Sequence, residues 1–451
     1  MSAIMKKKVI LSSVLAVICG ACLSFAGAAF ADRASAASAA PEYAYEYPQV
    51  GELTLPSVLS DGMVLQQKEN VHVWGLTVGG REVTASLALA SAPDTVIAQG
   101  SSIAGENGRF DIEFDGWDAS FDEYVVTVGD GSTTIHIEDV LFGEVWLTGG
   151  QSNMELQLQY VIDGPELIRA ARGDDRYANL RLFLEPTMPE GKDLNSQFEY
   201  LPQFDIKGAR WGRANVKDDV KIVSAVSYAC ARKMFEELNA EAQVPVAIIN
   251  TAVGATSIEA WMSRTSIDNT PEVVNWIKNI KKNYVSWENW TDNRPEKFNQ
   301  MTAMFNEKIA PIAGFNVKGL LWYQGENNMG DQESADFYSK ALPAMVKDWS
   351  VNWWKDEKPF YCAYFHINQK EDNYTAESIP LFLEGLSTAW SENRDNLMQV
   401  PIYDIPLTWN YGSFQYKATA HPLESNLFGG CQFNNYTLSI LKFKPHLNPA
   451  F

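Results

Sequence analysis

The sequence predicts an α/β domain, a parallel sheet covered by helices, preceded by a small all-β sandwich. Two observations carry this. Up to Asp139 the chain runs in short alternating segments broken by Gly, Asp and Asn. Beyond it, short apolar runs alternate with longer stretches of helical period, the rhythm of strands and crossover helices.

The elements follow in order. Lys6, Lys7 and Lys8 precede an uncharged, mostly apolar run from Val9 to Phe30, which closes on Ala29-Phe30-Ala31. That is the layout of a signal peptide, expected over residues 1–31 and removed on export. An Ala/Ser-rich, then polar and aromatic lead-in follows over 32–50. Residues 51–139 read as the β-module, with strands at Val71–Trp74, Glu82–Leu87 and Tyr124–Val128. Residues 140–422 form the α/β domain. Its strands are expected at Leu141–Leu147, Val244–Ile249, Val317–Tyr323, Phe360–Phe365 and Val400–Tyr403. Helices are expected at Val223–Leu238, Glu296–Ile309, Ala335–Trp349 and Ala376–Trp390. Residues 423–451 carry one acidic residue, Glu424, in an otherwise acidic chain, and stand apart as an atypical tail.

Charge and cysteine content narrow the function. The formal charge is −20, and loss of the three leader lysines takes it to −23. Such a surface repels nucleic acid and anionic membranes, so neither is expected as a partner. After signal cleavage Cys230, Cys362 and Cys431 remain, an odd number without metal-like spacing, so no disulfide framework is expected. No H-E-x-x-H motif or phosphate-cradling glycine loop occurs, and no cofactor or metal is expected.

The segment from Gly143 to Glu155 (Gly-Glu-Val-Trp-Leu-Thr-Gly-Gly-Gln-Ser-Asn-Met-Glu) reads as an apolar strand, a double glycine, then a serine opening a helix. This geometry exposes Ser152 at the carboxyl end of a sheet, where open α/β sheets bind their ligands. A plain helix cap would look the same at this segment alone. It is not the G-x-S-x-G elbow, because Met154 stands where the second glycine would be.

Three ordered blocks make the pattern specific. Gly-Glu-Val-Trp-Leu with Gly-Gln-Ser-Asn-Met-Glu resembles the nucleophile block of sialate O-acetylesterases, a branch of the SGNH hydrolases. Asn250 to Met262 (Asn-Thr-Ala-Val-Gly-Ala-Thr-Ser-Ile-Glu-Ala-Trp-Met) resembles that family's glycine block, and Leu321-Trp322-Tyr323-Gln324-Gly325-Glu326-Asn327 its Gln-Gly-Glu block. Asp61 to Gln67 and Val73-Trp74-Gly75 resemble its N-terminal β-domain. The similarity runs from about Leu55 to Pro422.

The resemblance implies a flavodoxin-like three-layer α/β/α SGNH domain that hydrolyses acetyl esters on sugars. Ser152 would be the nucleophile, with oxyanion donors at the amides of Ser152 and Gly254 and the side chain of Gln324. His421-Pro422 resembles the family's His-Pro block, so His421 is the expected base, with His366 second. Many relatives carry an Asp three residues before that His; here the position is Ala418. Glu326 is therefore the expected acid, with Asp404 as the alternative. The partner is an O-acetylated glycan. Acetylxylan or another plant polymer is an alternative substrate, and a catalytically impaired glycan-binding relative an alternative class. The unusual tail would leave His421 poorly anchored.

Overall fold

The computed structural model describes Pro48 and residues 50–161, 163–186, 201–281, 300–353, 361–365 and 378–400. The expected signal peptide, nearly all of the lead-in, His366, Asp404, Ala418, His421 and the tail lie outside these residues. Among the described residues no helix is long and apolar enough to cross a membrane.

Seven strands come first, with no helix between them: β1 (Val64–Gln66), β2 (Val71–Leu76), β3 (Glu82–Leu89), β4 (Val96–Ile103), β5 (Arg109–Phe114), β6 (Ser120–Gly129) and β7 (Thr134–Gly150). The antiparallel pairs are β3–β4, β3–β6, β6–β7 and, as a separate ribbon, β2–β5. Period-two alternation sets their faces. On β3, Val83, Ala85 and Leu87 are buried between more exposed neighbours, and on β5 Phe110, Ile112 and Phe114 do the same.

β7 is 17 residues long and serves both halves of the chain. Its first part is antiparallel to β6, up to Val140 opposite Tyr124 and, beyond an irregularity, Phe142 opposite Ser120. Leu141–Gly143 then pair in parallel with β1, and Glu144–Gly150 with the strands of the large sheet. The expected boundary at 139/140 thus falls inside one continuous strand. Asp139 turns the chain there with a φ of 58°, and its carboxylate is gripped by Arg181 at 2.6 and 2.8 Å and by Arg213 at 2.6 Å. The paired guanidinium holds the Asp139 carboxyl below its usual range despite burial, which acts the other way.

The later strands are β8 (Leu180–Leu184), β9 (Arg210–Arg213), β10 (Val246–Asn250), β11 (Gly319–Tyr323), β12 (Tyr361–Phe365) and β13 (Leu397–Val400). The sheet order is β13-β12-β11-β7-β10-β8-β9. All of its pairings are parallel except β8–β9, which places antiparallel β9 at the edge. β8 and β11 are buried at every residue, as parallel strands covered on both faces are. Alternate residues of β10 enter different cores. Val246 and Ile248 join Tyr228 and Phe235, while Ala247 and Ile249 join Trp322, Phe337 and Trp349.

Five helices matter below: α1 (Ser152–Glu155), α2 (Gly164–Arg172), α3 (Ala225–Leu238), α4 (Gln332–Asn352) and α5 (Ser378–Glu392). Ser224 caps α3 by accepting from the Ser227 amide, and Asp331 with Ser334 forms a capping box on α4. That box starts α4 three residues before the expected Ala335. Where Glu296–Ile309 was expected to be an ordinary helix, Phe305–Ile309 is a single π-turn. The last strand is seen at Leu397–Val400 rather than beginning at Val400, and 401–403 lie outside the described residues.

Candidate active site

The strand order reverses direction around β7. The chain fills β8 and β10 on one side of it, then crosses to β11, β12 and β13 on the other. The crevice beyond the carboxyl ends of β7, β10 and β11 is therefore the place a ligand is expected, and the three sequence blocks all lie there.

Gly149 and Gly150 end β7. Gly150 has a φ of 141°, and a Cβ there would collide with the Tyr323 carbonyl of β11, so only glycine fits this close approach. The Gln151 amide donates to that same carbonyl at 3.0 Å, and Gln151 occupies the N-cap position of α1 without a side-chain capping bond. Ser152 opens α1 and is exposed, between buried Gln151 and buried Met154 one residue further on. Its amide lies in the first turn of the helix, where backbone donors have no intrahelical acceptor.

The loop after β10 lies against this turn. Its Thr251 and Val253 amides donate to Thr148 and Gly150 of β7 at 2.9 and 3.0 Å. A Cβ built on Gly254 would sit 3.7 Å from the Ser152 Cα and 2.5 Å from a carboxylate oxygen of Glu155. The Gly254 amide donates to that oxygen at 2.7 Å. Ala255 follows with a φ of 59°, a left-handed conformation that a β-carbon makes costly. Asn327 holds it, donating to the Ala255 carbonyl at 3.1 Å and the Ser257 hydroxyl at 2.8 Å.

Gln324, at the end of β11, is buried beneath the turn. Its amide nitrogen reaches Gln151 Oε1 at 3.0 Å, the Thr256 carbonyl at 2.9 Å and Asn328 Oδ1 at 2.8 Å. Its Oε1 accepts from the Tyr338 hydroxyl of α4 at 2.7 Å. Gln151 Oε1 accepts in addition from the amides of Gly325 (3.4 Å) and Asn327 (3.2 Å). One side-chain oxygen therefore ties the serine turn to the Gln-Gly-Glu loop. Glu326 is 2% exposed, and its Oε1 accepts from Asn153, the residue after the serine, at 2.6 Å. Burial pushes the Glu326 carboxyl above the usual carboxylate range, and the bond from Asn153 acts against that shift.

Ser152, Gly254, Gln324 and Glu326 thus come together at one end of the sheet, while His421 lies outside the described residues. His72 and His136 are elsewhere: His72 bridges the Gly314 carbonyl and Asp111 at 3.2 Å each, and His136 meets Thr127 at 3.0 Å. Trp261, beside the glycine block, is fully buried. It packs edge-on to Trp322 at 5.8 Å and donates to Thr256, so it is core and not a sugar platform. Among the described residues, no three His, Cys, Asp or Glu side chains gather as ligands to a metal would. The residues that sequence reasoning left without a role are Gln151, Asn153 and Glu155. Glu155 had one usable signal, since it stands three residues after Ser152 and so shares its helix face.

The chain is similar to known carbohydrate esterases. Residues 214–378 match a family model described as carbohydrate esterase, sialic acid-specific acetylesterase. That stretch contains Gly254, Gln324 and Glu326, and begins after Ser152. The sialate O-acetylesterases of Pongo abelii and Homo sapiens are 27% and 26% identical over 301 residues, 65% of this chain and 52% of each of theirs. The chain therefore spans about half the length of these relatives. The crystal structure of a carbohydrate acetylesterase from Xanthomonas citri is 27% identical with a TM-score of 0.60, over 78% of this chain and 69% of that one.

Proposed function

From this likeness to sialic acid-specific carbohydrate esterases, we propose that the chain is a carbohydrate O-acetylesterase of the sialate O-acetylesterase type, acting through Ser152. The observation that supports it most is the pairing of an exposed serine, on a turn only glycine can make, with the backbone of Gly254 packed closely against it.

In this reading Ser152 Oγ attacks the acetyl carbonyl carbon while His421 takes the hydroxyl proton. The carbonyl oxygen becomes an oxyanion that accepts from the Ser152 and Gly254 amides, each such donor lowering the barrier by about 3 kcal/mol. Gln324 is the third donor; its amide hydrogens already serve three acceptors and the Gly254 N–H serves Glu155, so each of these two must give up a bond to serve the oxyanion. Collapse expels the sugar hydroxyl, which takes its proton from His421. Water then attacks the acetyl-enzyme with His421 again as base, and acetate leaves. Glu326 is the orienting acid, steadied by Asn153.

The wider assignment keeps the same basis. The signal peptide over 1–31 would export the protein, residues 51–139 would form the β-module, and 140–422 the SGNH domain. The two separate cores on alternate residues of β10 favour the three-layer arrangement. Ala418 favours the impaired, glycan-binding reading as the second choice.

One experiment separates the two. Acetate release from O-acetylated sugars and from p-nitrophenyl acetate is compared between the protein and Ser152→Ala. Release that disappears in the variant supports the esterase; two folded, equally inert proteins would leave only glycan binding.

A further inference from the structure

The Gly254 amide is already occupied by an anion. Glu155 Oε2 lies 2.7 Å from it, within the range of a charge-assisted hydrogen bond and of a donor to an oxyanion. The contact has one of two meanings: Glu155 orients the amide, or it stands where the oxyanion must go.

The peptide unit itself decides between them. The N–H of Gly254 and the C=O of Val253 belong to one plane. Thr256 Oγ1 donates to that carbonyl at 2.8 Å, and Thr256 is fixed in turn by the Trp261 indole at 2.9 Å. On the other side Asn327 pins the Ala255 carbonyl. The plane is therefore held at its carbonyl end, and the chain two peptides further on is fixed by Asn327, so the direction of the N–H does not depend on Glu155. The carboxylate comes from the other wall of the crevice, on α1, whose turn is closed by the Glu155 amide donating to the Gln151 carbonyl at 2.9 Å.

We propose that Glu155 is a resident competitor for the oxyanion hole, holding the Gly254 amide until an ester carbonyl displaces it. The proposal rests on the esterase reading. It implies selectivity for esters whose sugar is well anchored, because a small unanchored ester has little binding energy with which to displace the carboxylate.

Glu155→Gln keeps the shape and removes the charge. It is expected to raise kcat/KM for p-nitrophenyl acetate on the order of tenfold, the weight of one charge-assisted hydrogen bond. The affinity for phenylboronic acid, which forms a tetrahedral anion on a nucleophilic serine, should rise by a similar factor. Unchanged or lower values in the folded variant overturn the proposal. Ser152→Ala in the same assay reports on the esterase reading alone. If neither the protein nor Glu155→Gln hydrolyses the ester, that reading fails and the competitor role fails with it. The contact is read independently from the Gly254 amide proton by NMR of glycine-labelled protein. An upfield move in Glu155→Gln is expected, and an unmoved resonance overturns the contact whether or not the protein is active.

Discussion

Gln151→Ala tests whether one side-chain oxygen holds the site together. In the protein that oxygen accepts from Gln324 Nε2, Gly325 N and Asn327 N. The three donors do not suffer equally from its loss. Gln324 keeps the Thr256 and Asn328 acceptors, and Asn327 is exposed and regains water. Gly325 is buried, so its amide is the one left stranded. A stranded buried donor costs about 1–3 kcal/mol. Lost packing of the side-chain methylenes adds about 1 kcal/mol. The expected loss is about 2–4 kcal/mol, read as a lower midpoint in urea unfolding at unchanged m. Gln151→Leu fills the space without an acceptor, so it should recover only the packing part and stay about 1–3 kcal/mol below the parent. A loss below about 0.5 kcal/mol in the Ala variant, or a Leu variant as stable as the parent, would show that the acceptor is dispensable.

Two further perturbations probe different parts of the fold. Gly150→Ala forces a β-carbon onto the Tyr323 carbonyl at a φ of 141°, and should cost about 3 kcal/mol or more in the same unfolding assay; a neutral result would refute the close approach of β7 and β11. Asp348 on α4 accepts from Ser263 at 2.8 Å, and burial pushes its carboxyl up to about 6. A raised folded-state value means the folded protein binds the proton more tightly, so stability should fall as pH rises from about 4 to about 6, by at most about 3 kcal/mol. Asp348→Asn should lack that part of the slope, and an unaltered slope in pH-dependent unfolding would remove Asp348 as its source.

Much of this architecture was legible because it rests on local pattern. The apolar runs around Val145, Ile248, Leu321 and Ala363 all lie in strands, being short, uninterrupted and flanked by turn residues. β8 was missed because Arg181 interrupts Leu180–Leu184, and a charge argues against a buried strand. The ion pair of Arg181 with Asp139, together with its bonds to the Ala178 and Gly62 carbonyls, makes that charge tolerable. Asp139 misled in the opposite sense. It marks a real change of rhythm, yet the same strand continues through it, and continuity across a left-handed residue has no signature in periodicity. Ser152 and its glycines were legible because strand, double glycine and serine are consecutive. The contact of Glu155 with Gly254 was not, since it joins a helix and a loop 99 residues apart.

The continuity of β7 changes what the amino-terminal strands are. A module joined by a linker is a passenger, free to be lost or exchanged without disturbing the catalytic unit. Here the strand that closes the antiparallel region is the one that leads into Ser152, and Asp139 is clamped from β8 and β9 on the way. A cut anywhere between Thr134 and Gly143 would leave the central strand of the large sheet with a frayed beginning. The amino-terminal strands are thus a splint for Ser152, and recombination at the apparent border would exchange a part of the candidate site's own support.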